Sequence, residues 1–495
     1  MKFISTRDKT LAVSSAEAIV RGIAPDGGLF LPEEMPRFTL SEISAMRDMP
    51  FPALSAFVLS RFLPDYTEEE LRSYTQKAYA SFAAEDVIPV KPLGDGTFVM
   101  ELFHGPTCAF KDVALQILPY LMAAGARKCG NDNTIAILVA TSGDTGKAAL
   151  AGFDDVPGTK IGVFYPDGGV SAVQRMQMVT QEGDNVFVSA VRGNFDDCQT
   201  AVKSIFGDRE LRSRLLRSKV ELSSANSINW GRLAPQIAYY FHAYARLLAR
   251  GVIRAGDRIS FCVPTGNFGD ILAGYFAKRS GLPVDKLVCA SNSNDVLTDF
   301  LRTGVYDRNR SFRLTMSPSM DILISSNLER LLFLLSEDDG WVRERMAELK
   351  EKGRYDVGGE LLRRLHEEGF VGCCADEEQT AAAIRRTWTE RQYAADPHTA
   401  VGLCAVEQYR RESGDHGSMV ALSTASPFKF ATAMLSSLGV GVSGSGFDDL
   451  RALSACLGTP APAPLGELEK KKVRFPGVVE PDAMSNAVEE WLVKA

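Results

Sequence analysis

Three short segments of this 495-residue chain carry residue types that could do chemistry together. The first is Glu101-Leu-Phe-His-Gly-Pro-Thr-Cys-Ala-Phe-Lys-Asp112. Its apolar run from Phe98 to Phe103 reads as a strand, Gly105-Pro106 as a turn, and the stretch from about Asp112 as an amphipathic helix. Lys111 therefore falls at a helix start. There the unpaired backbone N–H groups and the positive end of the helix dipole disfavour a second positive charge, which lowers an ammonium pKa and frees the amine. Neutral amines attack aldehydes, so the expected chemistry is that of a Schiff-base lysine.

The other two segments are glycine loops. Thr134-Ile-Ala-Ile-Leu-Val-Ala-Thr-Ser-Gly-Asp-Thr-Gly-Lys147 and Arg258-Ile-Ser-Phe-Cys-Val-Pro-Thr-Gly-Asn-Phe-Gly-Asp270 each run from a strand through a glycine turn into a helix. Glycine lets the backbone approach an oxyanion, several N–H groups converge there, and the helix dipole adds favourable potential. Neither loop is Gly-x-Gly-x-x-Gly and no Gly-x-x-x-x-Gly-Lys-Ser/Thr occurs, so a nicotinamide-dependent dehydrogenase and a P-loop enzyme lose on spacing. One loop for a cofactor phosphate, one for a substrate carboxylate and a lysine at a third helix start are the minimum equipment for pyridoxal 5'-phosphate chemistry on an amino acid.

These residues need a scaffold, and the chain supplies an α/β pattern. Candidate strands are Thr134 to Ala140, Lys160 to Tyr165, Asn185 to Val191, Arg258 to Val263, Lys286 to Ala290 and Met419 to Ser423. Each is short, apolar and rich in Val or Ile, as strands buried on both faces of a parallel sheet are. Helical stretches fall between them, for example Lys147 to Phe153, Cys198 to Phe206 and Pro235 to Leu248. Residues 1 to 87 suggest a small helical N-terminal domain, with helices at Ser15 to Arg21 and after Thr67. Residues 88 to 458 form the catalytic region, with a charged helical insertion at about 336 to 392 placed before the last strands. Residues 459 to 495 read as a stiff Pro-Ala linker, Pro460 to Pro464, a charged segment and a final helix, Ala483 to Val493.

Composition excludes several classes. The net charge is −7 and the only basic run is Lys470 to Lys472, which argues against nucleic acid. The nine cysteines are scattered without a Cys-x-x-Cys and the five histidines are dispersed, so neither a disulfide framework nor a zinc site is expected. No run approaches the ~18 apolar residues that span a bilayer, and the N-terminus lacks an apolar signal core; a cytoplasmic location is expected.

The chain resembles the threonine synthase family. Ile4-Ser-Thr-Arg7 with Ala24-Pro-Asp-Gly-Gly-Leu-Phe30, Phe103 to Asp112, Thr141 to Gly146, Asn226-Ser-Ile-Asn-Trp-Gly-Arg232, Pro264 to Asp270 and Asp396-Pro-His-Thr-Ala-Val-Gly402 look like that family's blocks in its order. The resemblance implies a fold-type-II pyridoxal phosphate architecture, similar to the tryptophan synthase β chain, with mainly parallel sheets flanked by helices. It implies that Lys111 carries the cofactor, that Gly266, Asn267, Phe268, Gly269 and Asp270 surround the cofactor phosphate, and that Thr424 faces the pyridine nitrogen. Ser142, Gly143, Asp144 and Thr145 would hold the substrate carboxylate, and Ser227, Asn229 and Arg232 the substrate phosphate. Where the family commonly has His in the segment after the last strand, this chain has Ser426.

The activity so implied is conversion of O-phospho-L-homoserine and water to L-threonine and phosphate, by a monomer or homodimer without nucleic-acid or membrane partners. A phospholyase releasing 2-oxobutanoate and ammonia would use the same motifs. A catalytically silent binding protein could keep the fold.

Overall fold

In the computed structural model, which describes residues 1–141 and 143–494, the Val- and Ile-rich runs pair into two sheets. The larger has six strands in the spatial order Phe370–Cys374, Val284–Ser291, Ile259–Pro264, Met419–Ser423, Thr97–Glu101 and Val90–Gly94. All its neighbours are parallel except the terminal hairpin, where Val90–Gly94 runs antiparallel to Thr97–Glu101. Pro92 sits in that outer strand, where a missing N–H costs no ladder bond. The second sheet has five parallel strands, ordered Val478–Val479, Val186–Val191, Thr159–Pro166, Thr134–Ala140 and Val220–Ser223.

Each strand expected from apolar runs is present, with ends moved by one or two residues; Thr134–Ala140 and Met419–Ser423 need no adjustment. Parallel strands must be joined by crossovers, and helices such as Asp144–Phe153 and Phe195–Gly207 supply them, while Trp230–Ala249 leads from the second sheet to the larger one. Trp230–Ala249 is buried over most of its length, which its Ala, Leu and aromatic content permits on every face.

Composition misleads at residues 336 to 392. They hold the helices Asp339–Lys352, Gly358–Glu367 and Glu377–Arg391, but also Phe370–Cys374, the edge strand of the larger sheet. The segment is therefore part of the sheet layer and not purely a helical insertion. Its strand escapes notice because Phe-Val-Gly-Cys-Cys is short and gains its partner, Val284–Ser291, from far away in sequence.

The first eighty residues are helical as expected, with capping boxes at Thr39 and Thr67 that pair each threonine with a glutamate three residues on. They also form a three-stranded antiparallel sheet of Ala12–Val13, Phe3–Ser5 and Phe30–Pro32. The C-terminal helix, Met484–Lys494, packs on the second sheet through Met484, Val488 and Leu492. Part of the Pro-Ala stretch turns into a short helix, Ala463–Gly466, so it is not extended throughout.

Candidate active site

The site is assembled from loops that leave the C-terminal ends of parallel strands, the usual position in open α/β sheets. Strand Met419–Ser423 pairs with Thr97–Glu101, with Ser423 opposite Glu101. Beyond that pair the two chains stay zipped. Leu102 N–H donates to the Ser423 carbonyl, Phe110 N–H to the Thr424 carbonyl at 2.8 Å, and Ser426 N–H to the Cys108 carbonyl. Lys111 and Thr424 are thus fixed on adjacent strand ends. Thr424 is buried, as is Ser426, whose main chain belongs to this zipper.

Lys111 opens a short helix, Lys111–Leu115, as its position in the sequence suggests. Its Nζ lies 3.3 Å from Ser319 Oγ, 4.0 Å from Asp144 Oδ2 and 4.6 Å from the Phe110 ring centroid. The amine is pulled down to about 8 from an ordinary 10.5, but burial is the main cause. Asp144 opposes the shift, and the positive charges of Lys429 and Arg232 add to it. The direction expected from the helix start is therefore present, with desolvation as the chief reason.

Asp144 begins the helix Asp144–Phe153, and Gly143 before it has φ 139°, a conformation open to glycine. A Cβ on Gly143 would also lie 2.5 Å from Gln174 Nε2. The turn is closed by Thr141 Oγ1, which accepts from Gly143 N–H at 3.0 Å and Gly146 N–H at 2.9 Å. The Asp144 side chain is already engaged. Its Oδ1 is 2.8 Å from Lys429 Nζ and accepts from Gln174 Nε2 at 3.2 Å. Burial alone would raise this carboxyl, yet Lys429 and then Lys111 hold it well below the usual carboxylate range. Only the backbone of Asp144 is free to receive an anion. Thr145 sits beside it in the first turn, and Ser142 lies outside the described residues.

The second glycine loop ends strand Ile259–Pro264 and starts helix Gly269–Arg279 through Phe268, which is left-handed at φ 62°. The chain caps many helices with Ser, Thr, Asn or Asp side chains, at Ser14, Thr39, Thr67, Ser171, Asn194, Asp208, Asp376 and Asp396. The residues preceding Gly269–Arg279 and Asp144–Phe153, Phe268 and Gly143, offer no side-chain cap. The first-turn N–H groups, apart from that of Gly146 which Thr141 takes, are left for ligands. A Cβ on Gly266 would lie 2.6 Å from the Ser319 carbonyl oxygen, so only glycine lets these two backbones meet. Asn327 secures the loop by donating its N–H and its side-chain amide to the Asn267 carbonyl.

The Asp270 carboxyl turns away from this cradle. Its Oδ1 accepts from the Tyr239 hydroxyl and, at 2.9 Å, from the Tyr240 hydroxyl, while Oδ2 is buried without a partner. Burial raises it to about 6 against the pull of both tyrosines. Asp270 can offer an anion its N–H but not its side chain.

The segment 226 to 232 leads into helix Trp230–Ala249. Arg232 is 4% exposed, donates one N–H to the Ala225 carbonyl at 2.7 Å, and keeps a buried Nε without a partner. Burial is the one cause that moves its pKa, down to about 10, and it still carries a proton at neutral pH. The Asn229 expectation needs correction. Its Oδ1 caps the helix by accepting from Gly231 N–H, and its amide donates to the Ile19 and Ser224 carbonyls, so its donors are committed to structure. Ser227 lies half-buried in the same turn, with its carbonyl accepting from Asn327 Nδ2 at 3.2 Å.

Residues that sequence reasoning passed over complete the site. Lys429 is buried, donates to the Thr107 carbonyl at 2.9 Å and neutralises Asp144. Ser319 touches Lys111 from an irregular segment with no motif of its own. Lys429 lies in the segment Ser423-Thr-Ala-Ser-Pro-Phe-Lys429, where a lysine so close to a buried strand end was the available signal.

The fit to pyridoxal phosphate is close: a largely buried lysine of lowered pKa, two helix starts with first-turn N–H groups to spare, and a buried threonine on the neighbouring strand end. The family model described as "Pyridoxal-phosphate dependent enzyme" matches residues 89–425, and this is the class of protein that fold and site define. Models described as "Threonine synthase N terminus" and "Threonine synthase, C-terminal" match residues 2–79 and 399–490. A threonine synthase of Saccharomyces cerevisiae is 36% identical, covering 99% of this chain and 98% of its own. One of Pseudomonas aeruginosa is 40% identical over 88% of this chain and 90% of its own. The crystal structure of a PLP-bound threonine synthase of Brucella melitensis superposes with a TM-score of 0.88 at 37% identity, covering 100% of this chain and 99% of that one. The chain belongs to the threonine synthase family. Its activity is threonine synthesis, as a lyase that depends on pyridoxal phosphate. Among the described residues no helix is long and apolar enough to cross a membrane.

Proposed function

We propose that the substrate is O-phospho-L-homoserine, converted with water to L-threonine and phosphate. The observation that carries this reading is Arg232: a buried guanidinium with an unpartnered N–H and no opposing carboxylate shaping its pKa, near enough to Lys111 to influence that amine. Such a group is built for an anion that arrives with the substrate.

Pyridoxal phosphate supplies the electron sink when bound. Lys111 holds it at rest, and the amine of Lys111, once displaced, takes the proton from Cα and returns one at the end. A lysine lowered to about 8 exchanges protons near neutral pH far more readily than one at 10.5. N–H groups of the loop Gly266, Asn267, Phe268, Gly269 and Asp270 would hold the cofactor phosphate, and Thr424 would serve its ring nitrogen. The loop Ser142, Gly143, Asp144 and Thr145 holds the substrate carboxylate, through N–H groups other than that of Gly143, which Thr141 takes. Arg232, with Ser227, holds the substrate phosphate at Cγ and receives it as it leaves, before water adds at Cβ. Asn229 shapes that turn without contacting the phosphate. Lys429 keeps Asp144 ionised and directed away from the substrate carboxylate.

We further place the protein in the cytoplasm, where its nine cysteines stay reduced, as a monomer or homodimer. The domain division at 87/88 falls between the stretches 2–79 and 89–425 matched by two family models; the division at 458/459 rests on composition and lies inside the stretch 399–490 matched by the third. The deciding experiment incubates wild type and Lys111→Ala with O-phospho-L-homoserine and assays threonine, 2-oxobutanoate and phosphate. Wild type is expected to give threonine with equimolar phosphate, and Lys111→Ala neither. Phosphate with 2-oxobutanoate in place of threonine would overturn the reading.

A further inference from the structure

The block Asp396 to Gly402 has no part in the site as described, yet it is buried against it. Asp396, His398 and Thr399 are at most 2% exposed. Asp396 caps helix Pro397–Ser413 with both oxygens in use. Its Oδ1 accepts from the N–H of Thr399 at 3.2 Å and from the Thr399 hydroxyl. Its Oδ2 accepts from the N–H of His398 at 3.0 Å and from His398 Nδ1 at 2.7 Å.

With the ring proton on Nδ1, His398 Nε2 is an acceptor, and it receives the N–H of Ser319 at 3.1 Å. Ser319 is the residue whose Oγ lies 3.3 Å from Lys111 Nζ and whose carbonyl presses on Gly266. The histidine ring is itself wedged against Phe430, with centroids 4.9 Å apart. A second branch leaves the same carboxylate. The Thr399 hydroxyl gives its proton to Asp396, so Ser423 Oγ donates to Thr399 Oγ1 at 3.0 Å, and Ser423 Oγ accepts from the Tyr393 hydroxyl at 3.0 Å. Ser423 immediately precedes Thr424.

Capping the helix needs Asp396 and the N–H groups alone. It does not need a buried imidazole whose second nitrogen is spent on the main chain of a distant segment. That segment, around the single turn Pro318–Met320, has no sheet or long helix to fix it. Asn292 and Asn294 hold its flanks through Ser317 and Asp321, and Glu377 accepts from Met316 N–H, but at Ser319 itself the side-chain partner of the main chain is His398. We propose that the Ser319 hydroxyl holds the Lys111 amine in line for its proton transfers, and that the buried Asp396–His398 pair is the positioning device that keeps Ser319 there. The inference rests on Lys111 having the role given above; loss of all turnover in Lys111→Ala tests that role separately.

The test compares Ser319→Ala, Ser319→Thr, His398→Leu and the double variant Ser319→Ala/His398→Leu. Two readouts are taken: kcat and KM for threonine formation, and the rate at which cofactor-free protein captures pyridoxal phosphate, followed by its visible absorbance. Loss of one hydrogen bond at the amine predicts that Ser319→Ala lowers kcat about tenfold, leaves KM within about twofold and slows capture severalfold. Ser319→Thr keeps the hydroxyl and is expected within about threefold of wild type. The double variant is expected to be no worse than its poorer parent, because both changes break one path. Unchanged kcat and capture in Ser319→Ala, or Ser319→Thr as slow as Ser319→Ala, overturns the role of the hydroxyl. Losses that multiply in the double variant overturn the positioning by His398. Should His398→Leu not fold, as read by circular dichroism, the two Ser319 variants decide alone.

Discussion

Lys429 and Asp144 form a buried ion pair, Nζ to Oδ1 at 2.8 Å, and the second oxygen of that carboxylate stands 4.0 Å from the Nζ of Lys111. One carboxylate thus serves two lysines of different purpose. Lys429 takes the short contact and the charge, which leaves Lys111 close to an anion without being locked to it. That division lets Lys111 stay at about 8 although it lies beside a carboxylate that favours its charged form.

Replacing Lys429 removes a cation that lowers the Lys111 pKa, so Lys429→Met is expected to raise it. Capture of pyridoxal phosphate by the cofactor-free protein requires the neutral amine. Its rate should climb with pH around 8 in wild type and at higher pH in the variant. Breaking the buried pair should also cost stability, roughly 3 kcal/mol, in urea unfolding. A capture curve that stays in place would contradict this electrostatic account.

Arg232→Gln keeps a polar, shorter side chain at the buried turn but removes the charge. Charge-assisted hydrogen bonds are worth about 1.5–3 kcal/mol, so kcat/KM for O-phospho-L-homoserine is expected to fall about 10- to 100-fold. Inhibition by inorganic phosphate should weaken in parallel. Unaltered phosphate inhibition would place the substrate phosphate elsewhere.

Gly266→Ala puts a methyl group 2.6 Å from the Ser319 carbonyl, where backbone must yield. The expected cost is about 1–3 kcal/mol of stability, as for other overpacked sites. The variant should also hold pyridoxal phosphate more weakly in equilibrium dialysis, because the loop and the Ser319 segment move apart together.

His242 offers a pH test remote from the chemistry. It is buried in helix Trp230–Ala249, its Nε2–H donates to the Ile88 carbonyl at 2.9 Å, and burial pulls its pKa down to about 4 from 6.5. The unfolded chain binds the proton at higher pH than the folded one, so stability should decline as pH falls from about 6.5 towards about 4. The full decline is on the order of 3 kcal/mol for a shift of that size. Urea midpoints measured across that range should show it, and His242→Gln should flatten the slope. An equal slope in both proteins would exclude His242 as its source.

The sequence by itself determined the parts that are local. Hydrophobic runs with Val and Ile marked the parallel strands, glycines marked the anion loops, and ordered blocks marked the family and Lys111, because strand burial, turn geometry and a nucleophile's neighbours are all written within a few residues. Only the tertiary structure decided what depends on partners far apart in the chain. Burial, more than the helix start, lowers Lys111. Asn229 spends its amide on Ile19 and Ser224, Asp270 turns its carboxyl to Tyr239 and Tyr240, and Phe370–Cys374 becomes a sheet strand beside Val284–Ser291. Ser319 meets Lys111 across 208 positions. Such contacts leave no periodicity or spacing to read, since a side chain's donors and its solvent are allotted only when distant segments close around it.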